Sequence, residues 1–397
     1  MTDSELSDFQ VEFVRDEAAF AALATAWRAL ERRCGEALSA LGFDETWRAW
    51  TLVARPLGAR LAIVVGRQDG AVVLIWPLVR RGRMVEALGG NPSGPNDILL
   101  APDPCQAARA EAAWQAMRRA LGGSCLVLRG VPETSPILRL GGHRRRFRAQ
   151  HQVWIIRLAD WGGWERYEKH LPRRLLADQR RQWRRVAELE GEVRFRRART
   201  RDEAAAQLEA YTALKQHWLA ARGISNQQFS PGPYRDFEQA NRLALFDAGK
   251  LLVGRLGSEE ATLSVGYGIV RGERFLFEGF VYDQRFARLS PSRLLLEHLV
   301  RWCFEQRLEV FDFLPGDVAY KQQWGEAREA VFEQIMPLDA WGQALAMWHH
   351  GGLRRLARLG WLRAAYRRLP RRLRHAAQRL LLPGMDYAAK AKHDHPA

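Results

Sequence analysis

The chain has 397 residues, 47 % of them apolar and 10 % aromatic, and this composition excludes a protein that is disordered throughout. No apolar run reaches the roughly 18 residues that span a bilayer, and the acidic, polar start is unlike a secretory signal, so we expect a cytoplasmic protein. The net charge of +16 is uneven, because residues 351–380 hold ten arginines and no acid.

The first part of the chain, residues 1–150, is predicted to be an α/β unit. A helical pattern covers residues 17–41, and the aromatic segment ETWRAW follows it. Two β-rich runs, RLAIVVGR and AVVLIWPLV, flank Asp69-Gly70, which is a strong hairpin signal. A helix near residues 107–121 and the strand CLVLRGV complete this unit, and an arginine-rich connection at 143–148 marks its end.

The second part, residues 151–340, repeats this coarse order of elements. It opens with the strand VWIIRL, a basic helix over about 164–190, a short strand and a helix over 202–222. After a polar loop and another helix come three strands in series, then the helix SPSRLLLEHLVRWCFEQ, the strand EVFDFL, a short helix and a last strand. The shared order suggests a structural duplication, without a repeat at the residue level. Residues 341–397 are predicted to form a basic, amphipathic helical tail.

The start of the helix at Ser290 has the features of an anion site. Serine followed by proline is typical of a helix N-terminus, where free backbone N–H groups and the helix dipole favour a negative charge. Arg288 and Arg293 would add charge-assisted hydrogen bonds, and Ser292 lies in the first turn. The same residues also fit a capped helix start with solvated arginines. The nucleotide-binding patterns GxxxxGK[ST] and GxGxxG are absent.

A longer stretch carries a family resemblance. The segment YDQRFARLSPSRLLLEHLVRWCFEQRLEVFDFLPGDVAYKQQWG resembles the C-terminal signature of the CelD/BioF-like acetyltransferase domain family. That family belongs to the GNAT superfamily and is related to the FemAB aminoacyl transferases. The arginine-rich helix and the hairpin that ends in Trp76-Pro77-Leu78 extend the resemblance to about residues 10–340. It implies an α/β (α+β) fold of two tandem GNAT-like domains, the first degenerate, each a mixed, mostly antiparallel sheet flanked by helices.

The resemblance also implies an N-acyltransferase that uses acetyl-CoA or another acyl-CoA and no metal. The strand that ends at Tyr282 and the strand 310–314 are then expected to diverge, so that the acyl carrier enters between them with its pyrophosphate at 290–293. The chain departs from the usual GNAT pattern because its pyrophosphate loop contains proline rather than glycine.

Acyl transfer to an amine needs a base, oxyanion stabilisation and a proton for the leaving group. The candidate catalytic groups at this place are Lys321, Glu278, Asp312, Asp317 and Tyr320. Lys321 is the strongest candidate because it follows the Gly316-Asp317 turn and can reach a phosphate or an oxyanion. Asp312 also fits a structural hydrogen bond to the following loop, and Glu278 also fits a solvent-facing side chain. Tyr267, Trp218 and Tyr282 are candidate walls of an acceptor pocket.

The acceptor is expected to be a small-molecule or glycolipid amine, such as an envelope or exopolysaccharide precursor. Two alternatives remain open: an aminoacyl-tRNA-dependent FemAB-like transferase, and a non-catalytic scaffold that binds RNA or anionic lipid. No motif for sequence-specific nucleic-acid binding is present. The tail over 351–380 fits either a peripheral membrane contact or packing on the second unit. Four scattered cysteines show no metal-binding or catalytic spacing.

Overall fold

The computed structural model describes residues 8–35, 41–89, 96–121, 125–142, 148–189, 192–316, 318–340 and 342–343. Asp317, the predicted tail beyond residue 343 and most of the connection 143–148 lie outside the described residues. Domain limits at 150 and 340 therefore stay a prediction.

The N-terminal half alternates short helices with short strands. In chain order its elements are β1 (Gln10–Val14), α1 (Glu17–Ala22), α2 (Ala24–Cys34), α3 (Phe43–Ala49), a π-helical turn (Trp50–Ala54), β2 (Arg60–Leu61), β3 (Ile63–Gln68), β4 (Ala71–Trp76), β5 (Leu78–Arg81), β6 (Met84–Ala87), β7 (Leu99–Leu100), α4 (Gln106–Ala120) and β8 (Cys125–Pro132).

The predicted hairpin is confirmed. β3 and β4 are antiparallel, with Gln68 opposite Ala71. Asp69 and Gly70 between them both have positive φ, 50° and 75°, as a type I′ turn requires. The helix predicted over 17–41 is divided at Leu23 into α1 and α2.

The second half has longer strands and helices. In chain order its elements are β9 (Arg148–Arg157), α5 (Trp164–His170), α6 (Arg173–Ala187), β10 (Arg194–Arg197), α7 (Arg201–Ala221), α8 (Pro233–Asp247), β11 (Leu251–Gly257), β12 (Thr262–Arg271), β13 (Arg274–Tyr282), a 3₁₀ turn (Gln284–Leu289), α9 (Pro291–Glu305), β14 (Val310–Pro315), α10 (Ala319–Trp324) and β15 (Glu326–Pro337).

The basic helix predicted over 164–190 is two helices, α5 and α6. Pro172 separates them, because proline lacks the N–H that would continue the hydrogen-bond ladder. Leu171 before it has extended backbone angles, φ −60° and ψ 148°, as steric contact with the proline ring demands.

The described strands form two sheets. The smaller has the order β1-β3-β4-β7, and the larger has the order β10-β11-β12-β13-β14-β9-β15-β8-β6-β5-β2. Among the strand pairs of the described residues, β13–β14 and β6–β8 are parallel and the others are antiparallel. β15, from the end of the second half, pairs with β9 on one side and with β8 of the first half on the other. The two halves therefore share one sheet.

Helices cover both faces of the second-half strands. α6 and α9 pack on the face that carries Phe275 and Phe277, and α7 packs on the opposite face, which carries Val265 and Tyr267. The predicted fold class, an α/β chain with mixed, mostly antiparallel sheets flanked by helices, is confirmed. Among the described helices, none combines the length and the apolar composition of a membrane span.

Candidate functional site

β13 and β14 run side by side for a short distance and then diverge. Their parallel register comprises three pairs, which are Arg274 with Val310, Phe275 with Phe311 and Leu276 with Asp312. β13 continues to Tyr282 and β14 to Pro315 without further pairing between them. The expected divergence of these two strands is present, and it opens a gap in the sheet.

An irregularity in β13 lies where the strands separate. The register with β12 changes from Gly268 opposite Phe277 to Tyr267 opposite Gly279, so Glu278 is the extra residue of a β-bulge. Gly279 has φ 146°, a conformation that residues with a side chain rarely adopt. Bulges bend the strand that carries them, and this bend turns the second half of β13 away from β14.

The end of β14 is also irregular. Leu314 has φ 59° and Gly316 has φ 143°. The carboxylate of Asp312, which is 4 % exposed, accepts the N–H of Leu314 at 2.7 Å and a hydrogen bond from Arg274 at 2.7 Å. Arg274 also binds Glu329 of β15 at 3.2 Å. Burial raises the pKa of Asp312, and the Arg274 guanidinium opposes that shift. The predicted structural role of Asp312 agrees with this geometry.

Lys321 points into the protein. The residue is 6 % exposed. Its Nζ donates to the carbonyl oxygens of Leu314 at 2.9 Å and Pro315 at 3.4 Å. A Cβ on Gly316 would lie 3.2 Å from Nζ, so glycine at this position leaves room for the ammonium group. Lys321 thus binds backbone carbonyl groups at the kinked end of β14, and Asp312 binds a backbone N–H group at the same place.

Aromatic side chains connect the two diverging strands. The ring of Tyr320 lies 5.1 Å from that of Phe280 and 6.1 Å from that of Phe313, centroid to centroid. Phe277 contacts both phenylalanine rings, at 5.5 and 6.1 Å. Tyr320 therefore bridges the two diverging strands.

The start of α9 differs in detail from the prediction. Pro291 is the first helical residue, but Ser290 has φ 47° and its side chain makes no capping hydrogen bond. The N–H of Arg293 donates to the Ser290 carbonyl at 3.0 Å. Ser292 is buried, and its hydroxyl lies 3.2 Å from that of Ser264 on β12. Ser292 therefore faces the sheet rather than solvent.

Two cations of this region have no acidic partner among the described residues. Arg288 is exposed and Arg293 half-buried, and neither has an acidic partner within the described part of the chain. Arg285, in contrast, pairs with Asp283 at 2.7 Å, which lowers the pKa of that carboxyl. The 3₁₀ turn before α9 and the first turn of α9 thus present two guanidinium groups, those of Arg288 and Arg293, without an acidic partner among the described residues.

The other candidate residues lie on the opposite side of the sheet. Tyr267 is fully buried, with Arg242 of α8 at 4.6 Å from its ring and Tyr211 of α7 at 5.0 Å, and burial raises its pKa. Trp218 is a core residue whose ring contacts Lys215 at 4.7 Å and Arg222 at 4.1 Å.

The structure thus divides the sequence-predicted residues into three groups. Asp312, Tyr320 and Lys321 meet at the end of β14, whereas Glu278, at the bulge of β13, interacts electrostatically with Arg242 and Tyr267. The residues of the predicted anion site, 288–293, follow Tyr282, which pairs with Ser264 of β12 in the sheet. Tyr267 and Trp218 belong to the core beneath α7 and α8. Asp317 lies outside the described residues.

Sequence reasoning missed Arg274, Arg242 and Tyr211. Arg274 begins a strand, where an arginine is ordinarily solvated, and only the neighbouring strands show that it reaches Asp312. Arg242 lies on a helix and pairs with Glu238 at 2.9 Å, four residues earlier. That spacing was a usable signal for an ion pair, although it did not indicate burial.

Comparison with solved structures found remote similarity over most of the chain. FemX matches at 11 % identity, over 75 % of this chain and 92 % of its own, with a TM-score of 0.48. The C-terminal domain of a putative lysylphosphatidylglycerol synthetase from Agrobacterium fabrum matches at 15 % identity, over 77 % and 94 %, with a TM-score of 0.48. A tandem GNAT protein from the clavulanic acid biosynthesis pathway matches at 14 % identity, over 83 % and 99 %, with a TM-score of 0.46.

The search of curated proteins found no match. The scan against family models found one, the acetyltransferase (GNAT) domain, over residues 173–322. This stretch begins at α6, contains both diverging strands and ends just after Lys321. The chain is therefore similar to GNAT-type acetyltransferase domains over residues 173–322.

Proposed function

We propose that the protein is an N-acyltransferase that moves an acyl group from acyl-CoA to an amine. The observation that carries this proposal is the divergence of β13 from β14 after three register pairs, within the stretch that matches the acetyltransferase family. A strand edge without a ladder partner offers backbone N–H and C=O groups to an extended ligand. The pantetheine arm of coenzyme A contains two amides and has the shape to pair with such an edge.

The cationic turn is the proposed site of the donor's phosphates. Arg288 and Arg293 lie after the same strand edge and have no acidic partner among the described residues. Guanidinium groups form strong, charge-assisted hydrogen bonds with phosphate. Because the Arg293 N–H is already donated to Ser290, we assign pyrophosphate binding mainly to the two side chains.

The proposed chemistry is direct attack of the amine on the thioester carbon. Glu278, at the bulge beside the gap, is the proposed base that removes the amine proton. Backbone N–H groups on the open edge of β13 stabilise the tetrahedral oxyanion, and Tyr320 protonates the leaving thiolate. The C–N bond forms as the carbonyl π bond opens, and the C–S bond breaks when the tetrahedral oxyanion collapses, so no covalent enzyme intermediate is required.

Lys321 and Asp312 are proposed to act as positioning residues. Both bind backbone atoms of the strand end that forms one wall of the gap. We expect Lys321→Met to lower the free energy of unfolding by about 1–3 kcal/mol, because two carbonyls lose a charged donor, and also to weaken acetyl-CoA binding. Urea unfolding and calorimetry measure the two effects, and unchanged values for both would contradict the positioning role.

Calorimetry with acetyl-CoA, longer acyl-CoA and free coenzyme A tests the donor. We expect binding, and we expect the double change Arg288→Gln and Arg293→Gln to weaken it by roughly 10- to 100-fold, as the loss of charged hydrogen bonds implies. The matched control is Arg118→Gln with Arg119→Gln, two exposed arginines at the end of α4. Absence of binding to every CoA species would refute the assignment.

We further propose that the protein is CelD/BioF-like and that its acceptor is an amine on an envelope or exopolysaccharide precursor. The support is the order of motifs from Tyr282 to Lys321 together with the match to the acetyltransferase model. An aminoacyl-tRNA donor is the competing proposal. Transfer of a radiolabelled acetyl group to hexosamine acceptors, compared with transfer of an aminoacyl group from charged tRNA, distinguishes the two.

A further inference from the structure

α6 has a strongly basic outer surface. The 15-residue helix contains six arginines and one acid, Asp178. The arginines are all exposed, and they are Arg173, Arg174, Arg180, Arg181, Arg184 and Arg185. We call these six residues the α6 basic face.

The arginines form two parallel rows. One row contains residues 173, 180 and 184, and the other contains residues 174, 181 and 185. Successive members of a row are seven and then four positions apart. Because each residue turns the helix by about 100°, the members of a row stay within roughly 20° of a line parallel to the helix axis. Each row is about 16 Å long, from a rise of about 1.5 Å per residue. The opposite side of α6 buries Leu175, Gln179, Gln182 and Val186. The helix is therefore fixed on the protein with its charges outward.

Most of this charge is uncompensated. Arg181 pairs with Asp178 at 2.8 Å, and the other five arginines have no acidic partner within the described ranges. α6 also packs against the 3₁₀ turn 284–289, whose exposed Arg288 extends the positive surface. A concentration of like charge raises the energy of the folded chain unless it meets an anionic partner.

The α6 basic face has charge but no aromatic platform. Trp183, the aromatic residue of α6, turns inward, where its Nε1 donates to Glu297 at 3.3 Å and its ring contacts His298 at 5.5 Å. Proteins that bind single-stranded nucleic acid stack bases on exposed aromatic rings. A bilayer of anionic lipids makes no such demand, because planar arrays of headgroup phosphates need only cations at a flat surface.

We propose that the α6 basic face docks the protein on an anionic lipid surface. The two rows on one straight helix allow all six guanidinium groups to reach the headgroup layer together. Among the described residues, Leu57 is the one exposed large apolar residue, at 40 % exposure, so this contact works by charge rather than by insertion. The proposal is independent of acyl transfer.

Vesicle cosedimentation of the full chain tests the proposal. The probes are phosphatidylcholine vesicles with and without about one third phosphatidylglycerol, at about 0.15 M and about 1 M salt. The test variant changes Arg173, Arg180 and Arg184 to Gln. The control variant changes Arg33, Arg118 and Arg119 to Gln, which removes the same charge from exposed positions at the ends of α2 and α4. Both variants keep the basic residues 351–380, so their difference isolates α6.

We expect binding to the anionic vesicles alone, with loss at high salt. The test variant is expected to bind on the order of 100-fold more weakly, from about tenfold or less per arginine, whereas the control changes little. Equal binding of the two variants would overturn the proposal. So would a selective loss of affinity for single-stranded RNA in the test variant without a loss of vesicle binding. Acetyl-CoA affinity, measured in parallel, should be the same in both variants.

Discussion

Two buried charges of opposite sign bind the backbone at one point of the molecule. Lys321 donates to the Leu314 carbonyl, and Asp312 accepts the Leu314 N–H. The left-handed backbone of Leu314 is unfavourable for a branched residue, so it persists where its surroundings determine it. We infer that these side chains hold the strand end in the shape that keeps the gap open.

Asp97 provides a pH-dependent test at the scale of a single residue. It is buried in the first half, where desolvation raises its pKa to about 6 although Ser135 and the Ile98 N–H donate to it. In the unfolded chain the group ionises near pH 4, so between about pH 4 and 6 the folded state holds the extra proton. The free energy of unfolding therefore falls as the pH rises through this range, by up to about 3 kcal/mol.

Asp97→Asn should remove this fall in the free energy of unfolding at higher pH. Both hydrogen bonds go to Oδ1, so the single carbonyl oxygen of asparagine can accept them. We expect the variant to be more stable than the parent by about 1–3 kcal/mol near pH 7.5 and equally stable near pH 4. Urea unfolding at both pH values measures the difference. A variant less stable than the parent near pH 7.5 would show that the ionised carboxylate is tolerated.

At the scale of elements, the shape of the gap depends on the bulge in β13. Gly279 has φ 146°, and a Cβ there would lie 3.2 Å from the Tyr211 hydroxyl. We expect Gly279→Ala to lower the free energy of unfolding by about 1–3 kcal/mol and to weaken acetyl-CoA binding as the strand straightens. Thermal unfolding and calorimetry with acetyl-CoA measure the two effects.

Gly82 provides the matched control for that change. It also has positive φ, 57°, and no atom lies within 4 Å of the position of its Cβ. Gly82→Ala also places a side chain at positive φ, at a smaller cost because the left-handed region is accessible to L residues, and acetyl-CoA affinity should remain that of the parent. If both alanine variants bind acetyl-CoA equally well, the bulge does not shape the donor site.

Most elements were predictable because their signals are local. The Asp69-Gly70 hairpin and the helix from Pro291 follow from turn chemistry and hydrophobic periodicity. The break at Pro172 was equally local, although the prediction extended one helix across it. The bulge at Glu278 was not predictable, because an extra residue in a strand is defined only by the register of its neighbour.

At the scale of the whole molecule, polar contacts join the two halves. Arg271, at the end of β12, forms a buried ion pair with Glu45 of α3 at 2.5 Å. Asn241 of α8 donates to Glu45 at 3.3 Å and accepts from Arg48 at 3.0 Å. Together with the shared sheet, these contacts predict that the halves unfold together.

Glu45→Gln tests this coupling. The substitution leaves Arg271 buried without its anion, so we expect a loss of about 3–5 kcal/mol in the free energy of unfolding. The transition should move to lower urea without dividing in two. Asp44→Asn is the control, because Asp44, also on α3, forms an exposed ion pair with Arg28 of α2 that should contribute less than about 1 kcal/mol. Two separate transitions in the parent protein would contradict the coupling.

The sequence by itself determined the α/β class, the order of strands and helices in the second half, the GNAT-type pattern and the cationic turn before α9. Each of these depends on residues that are close together in the chain. The limits of the two domains, the cytoplasmic location and the role of the tail stay predictions. Only the tertiary structure showed that β15 joins the halves in one sheet, that β13 and β14 diverge, and that Arg274 reaches Asp312. The physical reason is that register, burial and ion pairs between distant segments are decided by packing, which no local pattern encodes.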